Sequence, residues 1–380
     1  MKTLPEDWSK LTLLDHLKRP ATYGVVKAGA FVSSGIPMLR GGDIKAGRIS
    51  LDLRQITPQK DQEYTRTRLE AKDVVVALVG YPGESAVVPK QLTGANISRA
   101  VGLLRLSGRL RPDYLVHFLN SAIGRAEFLR PAAGSAQMVV NLKDLNKLEV
   151  PSPPTETEQE AIAEALSDAD ALIEDLERLI DKKRLIKQSA MQDFLTGKRR
   201  LPGFSGEWPL SDFGSTIRRV LPQSSRPASA AMQMGDYPFY LSAEREARIA
   251  TADHDCSGVI VFSRGGLFRT RHASGPFSMS SDCLGVETHG DSRFFAFWME
   301  MNAKKLDTET FYGSGLRHLD KKLLQDVVVP CPPPSEQSAI ADILNDMDAE
   351  IQALETRLEK SRQIKEGMME NLLTGRIRLV

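Results

Sequence analysis

Glu158-Gln159-Glu160-Ala161-Ile162-Ala163 returns as Glu336-Gln337-Ser338-Ala339-Ile340-Ala341, an offset of 178 residues. The register holds without a gap to the end of the chain, through Leu195-Thr196-Gly197 against Leu373-Thr374-Gly375 and Arg200-Leu201 against Arg378-Leu379. Roughly half of the aligned positions are identical, too many for composition to supply to two unrelated helices. Upstream, Val150-Pro151-Ser152-Pro153-Pro154 parallels Val329-Pro330-Cys331-Pro332-Pro333-Pro334 with one residue of slippage, and Glu6-Asp7-Trp8 is weakly echoed by Gly206-Glu207-Trp208. The chain therefore reads as a tandem of globular region, helix, globular region, helix, with expected bounds at 1–150, 151–200, 201–330 and 331–380.

Both repeated segments predict long amphipathic helices. Ile162, Leu166, Ala169, Ile173, Leu176 and Ile180 in the first copy, and Ile340, Leu344, Met347, Ile351, Leu354 and Leu358 in the second, recur in steps of four and three, the spacing of a coiled-coil seam. Thr155-x-x-Glu158 reads as a capping box, and Gly197 and Gly375 as stops. At 1.5 Å per residue each helix would be roughly 55 Å long. The plain alternative is a pair of surface helices, each packed on its own domain. Length, heptad register and duplication together favour mutual pairing. An antiparallel pair would set the two globular regions at opposite ends of a rod, with an approximate internal two-fold axis.

The globular regions carry short strand-like runs with turn punctuation. In the first, residues 36–40 lead into Gly41-Gly42-Asp43. The valine-rich stretch 73–80 precedes the tight loop Gly80-Tyr81-Pro82-Gly83-Glu84-Ser85, a further strand covers 86–88, and a helix is expected over 112–126. The second follows the same plan with 237–241, 258–263, the loop Arg264-Gly265-Gly266 and an aromatic-rich helix over 292–301. The architecture expected is α+β: two β-rich domains joined by two long antiparallel coiled-coil helices in a pseudo-two-fold tandem repeat.

Length and composition set outer bounds. The 380 residues, 41% hydrophobic and 26% charged, suit a chain of two domains and argue against extended disorder. No apolar run approaches a membrane span, no signal core opens the chain, and a cytoplasmic location is the expectation. Three cysteines, Cys256, Cys283 and Cys331, make neither a disulfide framework nor a CxxC metal site. Charge is uneven: residues 1–150 hold 22 basic and 14 acidic side chains, whereas 201–330 hold 14 and 15, and both helical segments are net acidic. The basic first region suits phosphate neutralisation and the acidic helices suit protein docking.

The duplicated helix, opening on Pro-rich sequence and Glu-Gln-x-x-Ile-Ala and closing on Leu-Thr-Gly, resembles the specificity subunit of type I restriction-modification enzymes. The resemblance covers essentially the whole chain. Residues 36–44, 73–88 and Gly134-Ser135-Ala136-Gln137 look like recurrent segments of that family's first target recognition domain; 237–242, 259–266 and 313–319 look like those of its second. Arg317-His318 departs from the family pattern, standing near where a Gln or a second small polar residue is more usual. The resemblance implies a non-catalytic chain that reads a bipartite target in double-stranded DNA, one half-site per domain. It also implies two methyltransferase subunits docked on the helices and motor-nuclease subunits beyond them, with S-adenosylmethionine, ATP and Mg used by those partners and no cofactor in this chain. Arg40, Tyr81, Ser85 and Gln137 in the first domain, and Ser242, Arg264, Arg269, Arg271 and Arg317 in the second, are the candidates for DNA contact. Glu158, Gln159, Glu336 and Gln337 are read as helix-cap and partner-docking residues.

No constellation for catalysis emerges. Phe311-Tyr312-Gly313-Ser314-Gly315 matches the F-x-G-x-G loop of amino-methyltransferases, but its companion Asn/Asp-Pro-Pro-aromatic motif is absent. There is no Walker loop and no HExxH, and His254-Asp255-Cys256 reads as a solvent loop. The alternatives left open are a two-module protein-binding adaptor without DNA specificity, and a stand-alone methyltransferase system without a nuclease.

Overall fold

Thr155 closes an extended proline-rich stretch, and its hydroxyl accepts the Glu158 amide at 3.2 Å. From that capped end the first long helix runs over Glu156–Phe194. The expected capping box is only half made, because the Glu158 carboxylate is taken by Arg378 instead. The second long helix, Pro334–Leu372, opens on a proline whose missing N–H is harmless in a first turn. Gly197 and Gly375 end the two helical segments at φ values of +70° and +71°, a conformation that costs most other residues.

The computed structural model describes residues 4–130, 140–243, 245, 247–313, 315 and 317–379. Its contacts divide into two units: Met1–Glu177 with Arg357–Val380, and Arg178–Thr356. The compact units therefore differ from the linear segments of the repeat. Each takes the beginning of one long helix and the end of the other.

In unit 1, Val101–Leu104 pairs antiparallel with Val74–Ala77, which pairs with Ser85–Val87; Thr22–Tyr23 completes this four-stranded sheet. Beside it, Ile36–Leu39 runs parallel to Asn96–Ile97 and antiparallel to Gln55–Ile56. Val74, Val75, Val76 and Ala77 are all buried, as β-branched side chains covered on both faces should be. The helix expected over 112–126 is two helices, Pro112–Asn120 and Ala122–Leu129. Ser121 leaves the helical region and caps the Gly124 amide at 3.0 Å; a Cβ on Gly124 would lie 1.8 Å from the Phe118 carbonyl oxygen, so the tight break needs glycine there.

Unit 2 is built on a six-stranded sheet in the order Ile217–Val220, Cys283–Thr288, His254–Ser263, Thr270–Met279, Tyr237–Tyr240, Arg248–Ile249. Its centre is a long hairpin, and His254-Asp255-Cys256 lies in the first strand of that hairpin rather than in a solvent loop. The aromatic-rich helix Ser292–Met301 packs Phe294 and Phe295 against Phe213 and Trp208.

Within each unit the paired helix segments run antiparallel. In unit 1 Glu177 meets Arg362 at 2.6 Å and Asp170 meets Lys365 at 2.5 Å; in unit 2 Lys183, Arg184 and Lys187 meet Glu350, Glu355 and Asp348, each at 2.6 Å. Such exposed pairs add little stability singly, but they pin direction and register. The apolar stripe splits in two. Ile162 and Leu166 sit in the unit 1 core with Trp8, Tyr114 and Phe118, and Ile340 and Leu344 sit in the unit 2 core with Phe213 and Phe294. These four serve domain cores, joined there by Leu372 and Leu373 or by Phe194 and Leu195 from the end of the other helix. Leu176, Ile180, Ile351 and Leu358 are buried farther along the helices, with Ile173, Met347 and Leu354 half-buried beside them.

Candidate nucleic-acid interface

In unit 1 three loops meet at the tip of the hairpin formed by Val74–Ala77 and Ser85–Val87. The tip turns through Gly80 and Gly83, at φ +91° and +95°, and closes with the Gly83 amide on the Ala77 carbonyl at 2.9 Å. Glu84 fixes its base by accepting from Arg125 at 2.7 Å and from the Ala46 amide at 2.8 Å. The loop after Ile36–Leu39 lies alongside so closely that a Cβ on Gly41 would stand 2.8 Å from the Val79 carbonyl oxygen. The third loop, at 98–100, is tied in by Ser98 N–H to Leu39 O and Leu78 N–H to Ala100 O, both at 2.8 Å. Tyr81, at the apex, is 70% exposed on this braced base. Arg99 is exposed beside it and, among the described residues, makes no ion pair.

Unit 2 brings corresponding loops together. The turn at 264–269 is stapled by Ser263, whose hydroxyl donates to Leu267 O at 2.6 Å and accepts the Arg269 amide at 2.9 Å. The loop after Tyr237–Tyr240 joins through Ser242, and the 280–282 loop through the Arg264 amide on Asp282 O at 2.9 Å. A fourth strand of chain is added by the Gly266 amide on Arg317 O at 3.1 Å. Leu267 is the exposed apex residue, at 53%.

The candidate contacts sort unevenly over this geometry. Arg40 lies at the site, but its guanidinium is held by Asp43 at 2.8 and 3.1 Å, so its bidentate edge is occupied. Ser85 is fully buried and bonded to Asn120 Oδ1 through both its amide and its hydroxyl, which removes it as a DNA contact. Ser242 is likewise internal, bonded to Asp282 O and the Arg264 amide. Arg317 is neutralised by Asp307 and lies over the Phe311 ring at 5.6 Å, a structural brace rather than a free reader. Among the described residues, the Arg264 side chain donates to the Ser281 carbonyl alone, at 3.4 Å, and that of Arg271 to the Leu241 and Ala243 carbonyls, so neither meets a carboxylate there. Arg269 donates to Ser242 O at 3.2 Å. Gln137 lies outside the described residues. Arg99 and Leu267 were missed because neither belongs to a motif; their exposure on a braced tip marks them.

The four docking candidates are corrected most sharply. Glu158 and Glu336 are 0% exposed. Arg378 binds Glu158 and Asp7 and lies over the Trp8 ring, while Arg200 binds Glu336 at 2.6 Å and lies over the Trp208 ring. Gln159 is spent on the Arg111 amide and Arg109 O, and Gln337 on the Asp291 amide and Pro332 O. These residues clasp each helix start to its own unit and offer nothing to a partner. Exposed apolar side chains lie elsewhere on the first long helix: Leu172 in unit 1, and Leu179, Leu185 and Ile186 in unit 2. No helix among the described residues is long and apolar enough to cross a membrane.

Comparison with known proteins places this geometry. The family model described as the type I restriction modification DNA specificity domain matches residues 22–185 and 222–365. The EcoBI specificity subunit of Escherichia coli is 33% identical over 166 residues, covering 42% of this chain and 34% of that subunit. The match to the E. coli EcoDI subunit covers 37% of its length, so the chain spans about a third of each of these two relatives. The putative MjaX specificity subunit of Methanocaldococcus jannaschii is 23% identical over 99% of this chain and 95% of its own. Among solved structures, the S subunit of the M. genitalium type I system superposes with a TM-score of 0.66 at 17% identity, over 98% of this chain and 97% of that one.

Proposed function

Because the chain belongs to the type I restriction modification DNA specificity family, we propose that it is the recognition subunit of such a complex, each unit reading one half of a divided DNA target. The observation that carries this is the recurrence of one device in two units: a braced hairpin tip, bearing exposed Tyr81 in one and Leu267 in the other, with an arginine beside it, Arg99 or Arg264, that has no carboxylate partner among the described residues. A rigid tip with uncommitted donors can make base contacts without a large ordering cost. Catalysis belongs to partner subunits in the cytoplasm: two methyltransferase subunits using S-adenosylmethionine and, in a complete system, motor-nuclease subunits using ATP and Mg. In place of the four clasp residues, the exposed leucines Leu179 and Leu185 of unit 2 are the surface we assign to a methyltransferase subunit.

The test is methylation mapping in a host expressing this chain with a cognate modification subunit. The expected result is N6-methyladenine in both halves of a split motif, lost on deletion of the chain. Replacing residues 1–150 by those of a relative should change one half alone. Methylation indifferent to deletion, with binding to DNA that shows neither sequence preference nor steep salt dependence, would leave a protein-binding adaptor.

A further inference from the structure

Residues 201–330 are close to neutral in sum, a poor match for a DNA-binding module until the charges are placed. Arg218 and Arg219 both close on Glu287, at 2.6 and 2.5 Å. Burial pushes the Glu287 carboxyl up, and the hydrogen bonds from Arg219 and Arg218 outweigh it and hold the group below its ordinary range. Arg226 is paired with Asp253, Arg293 with Asp291 and Asp342, and Arg317 with Asp307. The neutralised arginines thus brace the framework. Among the described residues, Arg245, Arg248, Arg264 and Arg271 have no carboxylate partner. The positive charge of this near-neutral module is therefore segregated.

Three of those four line one cleft of about 420 Å³. Arg245, Arg248 and Arg271 surround it, over a floor that includes Phe239, Tyr240 and Ala247. Arg248 is fixed by donating to Gly235 O at 2.9 Å and Asp236 O at 2.8 Å; Arg271 is fixed by Leu241 O at 3.1 Å and Ala243 O at 2.6 Å. Carbonyl oxygens orient a guanidinium without cancelling its charge, and each still has N–H donors to spare. Glu244 and Glu246 adjoin Arg245 in the sequence, which leaves the two carbonyl-fixed arginines as the principal cations. A cleft with three guanidinium groups selects an anion. The Arg271 tethers, Leu241 and Ala243, belong to the loop that also forms the reading tip, so the anion would lie beside bound DNA.

We propose that the Arg245–Arg248–Arg271 cleft is a phosphate anchor that takes one backbone phosphate of the strand read by unit 2, fixing its position without reading a base. The proposal rests on the DNA-recognition reading above and assigns the electrostatic part of that recognition to named residues. The reading tip, with Arg264 and Leu267, is left to supply sequence preference.

The experiment measures affinity of the full chain for a target-bearing duplex and for a target-free duplex across a salt series. R248Q and R271Q should each weaken both affinities by the same factor, roughly fivefold, and reduce the slope of log K against log salt by about 0.9. The methylated motif should be unchanged. R245Q, whose side chain makes no hydrogen bond or ion pair among the described residues, should act in the same direction and guards against loss of folding in the other two. Unaltered affinity and slope in all three variants would overturn the anchor while leaving recognition intact. Relaxation of the motif at one position would overturn it differently, by making these arginines base readers. Inorganic phosphate that binds the cleft without changing DNA affinity would make it a free-anion site and also overturn the proposal. If the unsubstituted chain shows no salt-dependent preference for its target, it is the recognition reading that fails.

Discussion

The two units keep the same clasp and differ at the tips. Arg200, Glu336 and Trp208 in unit 2 correspond to Arg378, Glu158 and Trp8 in unit 1, each arginine stacking on its tryptophan and binding a carboxylate with no solvent exposure. At the tips, Tyr81 stands between glycines in one unit, while a run of arginines surrounds Leu267 in the other. A buried charge tolerates few partners, so the clasp resists divergence. An exposed apex contributes nothing to folding and is free to change its reading. The clasps also differ in one respect that can be tested: Trp208 Nε1 donates to Glu336 at 3.0 Å, whereas Trp8 Nε1 is buried with no partner among the described residues. Glu336 therefore has a second donor, and Glu158 depends on Arg378.

The largest effect should come from breaking that pair of clasps. Arg378→Ala leaves Glu158 buried and uncompensated, and the unfolding midpoint of unit 1 should fall on the order of 10 °C. Arg200→Ala should cost unit 2 less, since the indole N–H still serves Glu336; adding Trp208→Phe should bring unit 2 to the unit 1 loss. Hydrogen exchange followed by peptide separates the two units. Equal losses from the two arginine variants would show that the indole N–H does not distinguish the two clasps.

Next in size is the tip. Tyr81→Ala removes an exposed ring from a braced base, and DNA affinity should fall by about 1–2 kcal/mol, the usual value of one stacked or packed aromatic contact. Methylation mapping should show relaxation confined to one half of the motif. Ser85→Ala sharpens the comparison from the other side. It removes a buried hydrogen bond to Asn120 and should cost about 1 kcal/mol of stability while leaving the motif intact. A Ser85 variant that changed the motif would restore it as a reader.

These contrasts explain what the residues revealed before the fold did. The tandem and both long helices were legible because a repeated register and a helical period are local properties of sequence. The hairpin at 74–87 was legible as strand, glycine turn, strand; of the second, the strand over 258–263 and its glycine loop were legible, and the return strand Thr270–Met279 was not. Burial was not. Ser85 sits next to a glycine loop and Ser242 just past a strand, and both look exposed, yet each is satisfied by a group far along the chain, Asn120 or Asp282. Glu158 and Gln159 look like an acidic helix start facing solvent. Their partners include Arg378 from the last residues of the chain, a contact that no local pattern encodes. Lys187 with Asp348 and Lys365 with Asp170 repeat the 178-residue offset, so the register of helix pairing was present in the sequence as matched charges rather than as the apolar stripe alone.

Acid should affect the two units alike, and this is the smallest effect expected. Burial lowers the pKa of His117 in unit 1, with Asp170 and Asp113 favouring protonation and Lys365 opposing it. Burial also lowers that of His272 in unit 2, between Asp291 and Arg293. Each ring shares a 3.0 Å hydrogen bond with a serine, Ser167 or Ser292. Both imidazoles fold in the neutral form, so below the ordinary value of 6.5 the unfolded chain binds protons that the folded chain does not. Stability is therefore fully present above that pH and is lost as pH falls through the window beneath it. Between pH 7.5 and 5.5 the midpoint of each unit should drop by a few degrees, roughly what partial protonation of one buried imidazole produces. His117→Gln keeps a polar partner for Ser167 and removes the titration, so it should flatten the pH response of unit 1 and leave that of unit 2 unchanged. His16, also lowered by burial, is the remaining acid-sensitive imidazole in unit 1. An unaltered slope in the His117 variant would transfer the effect to it.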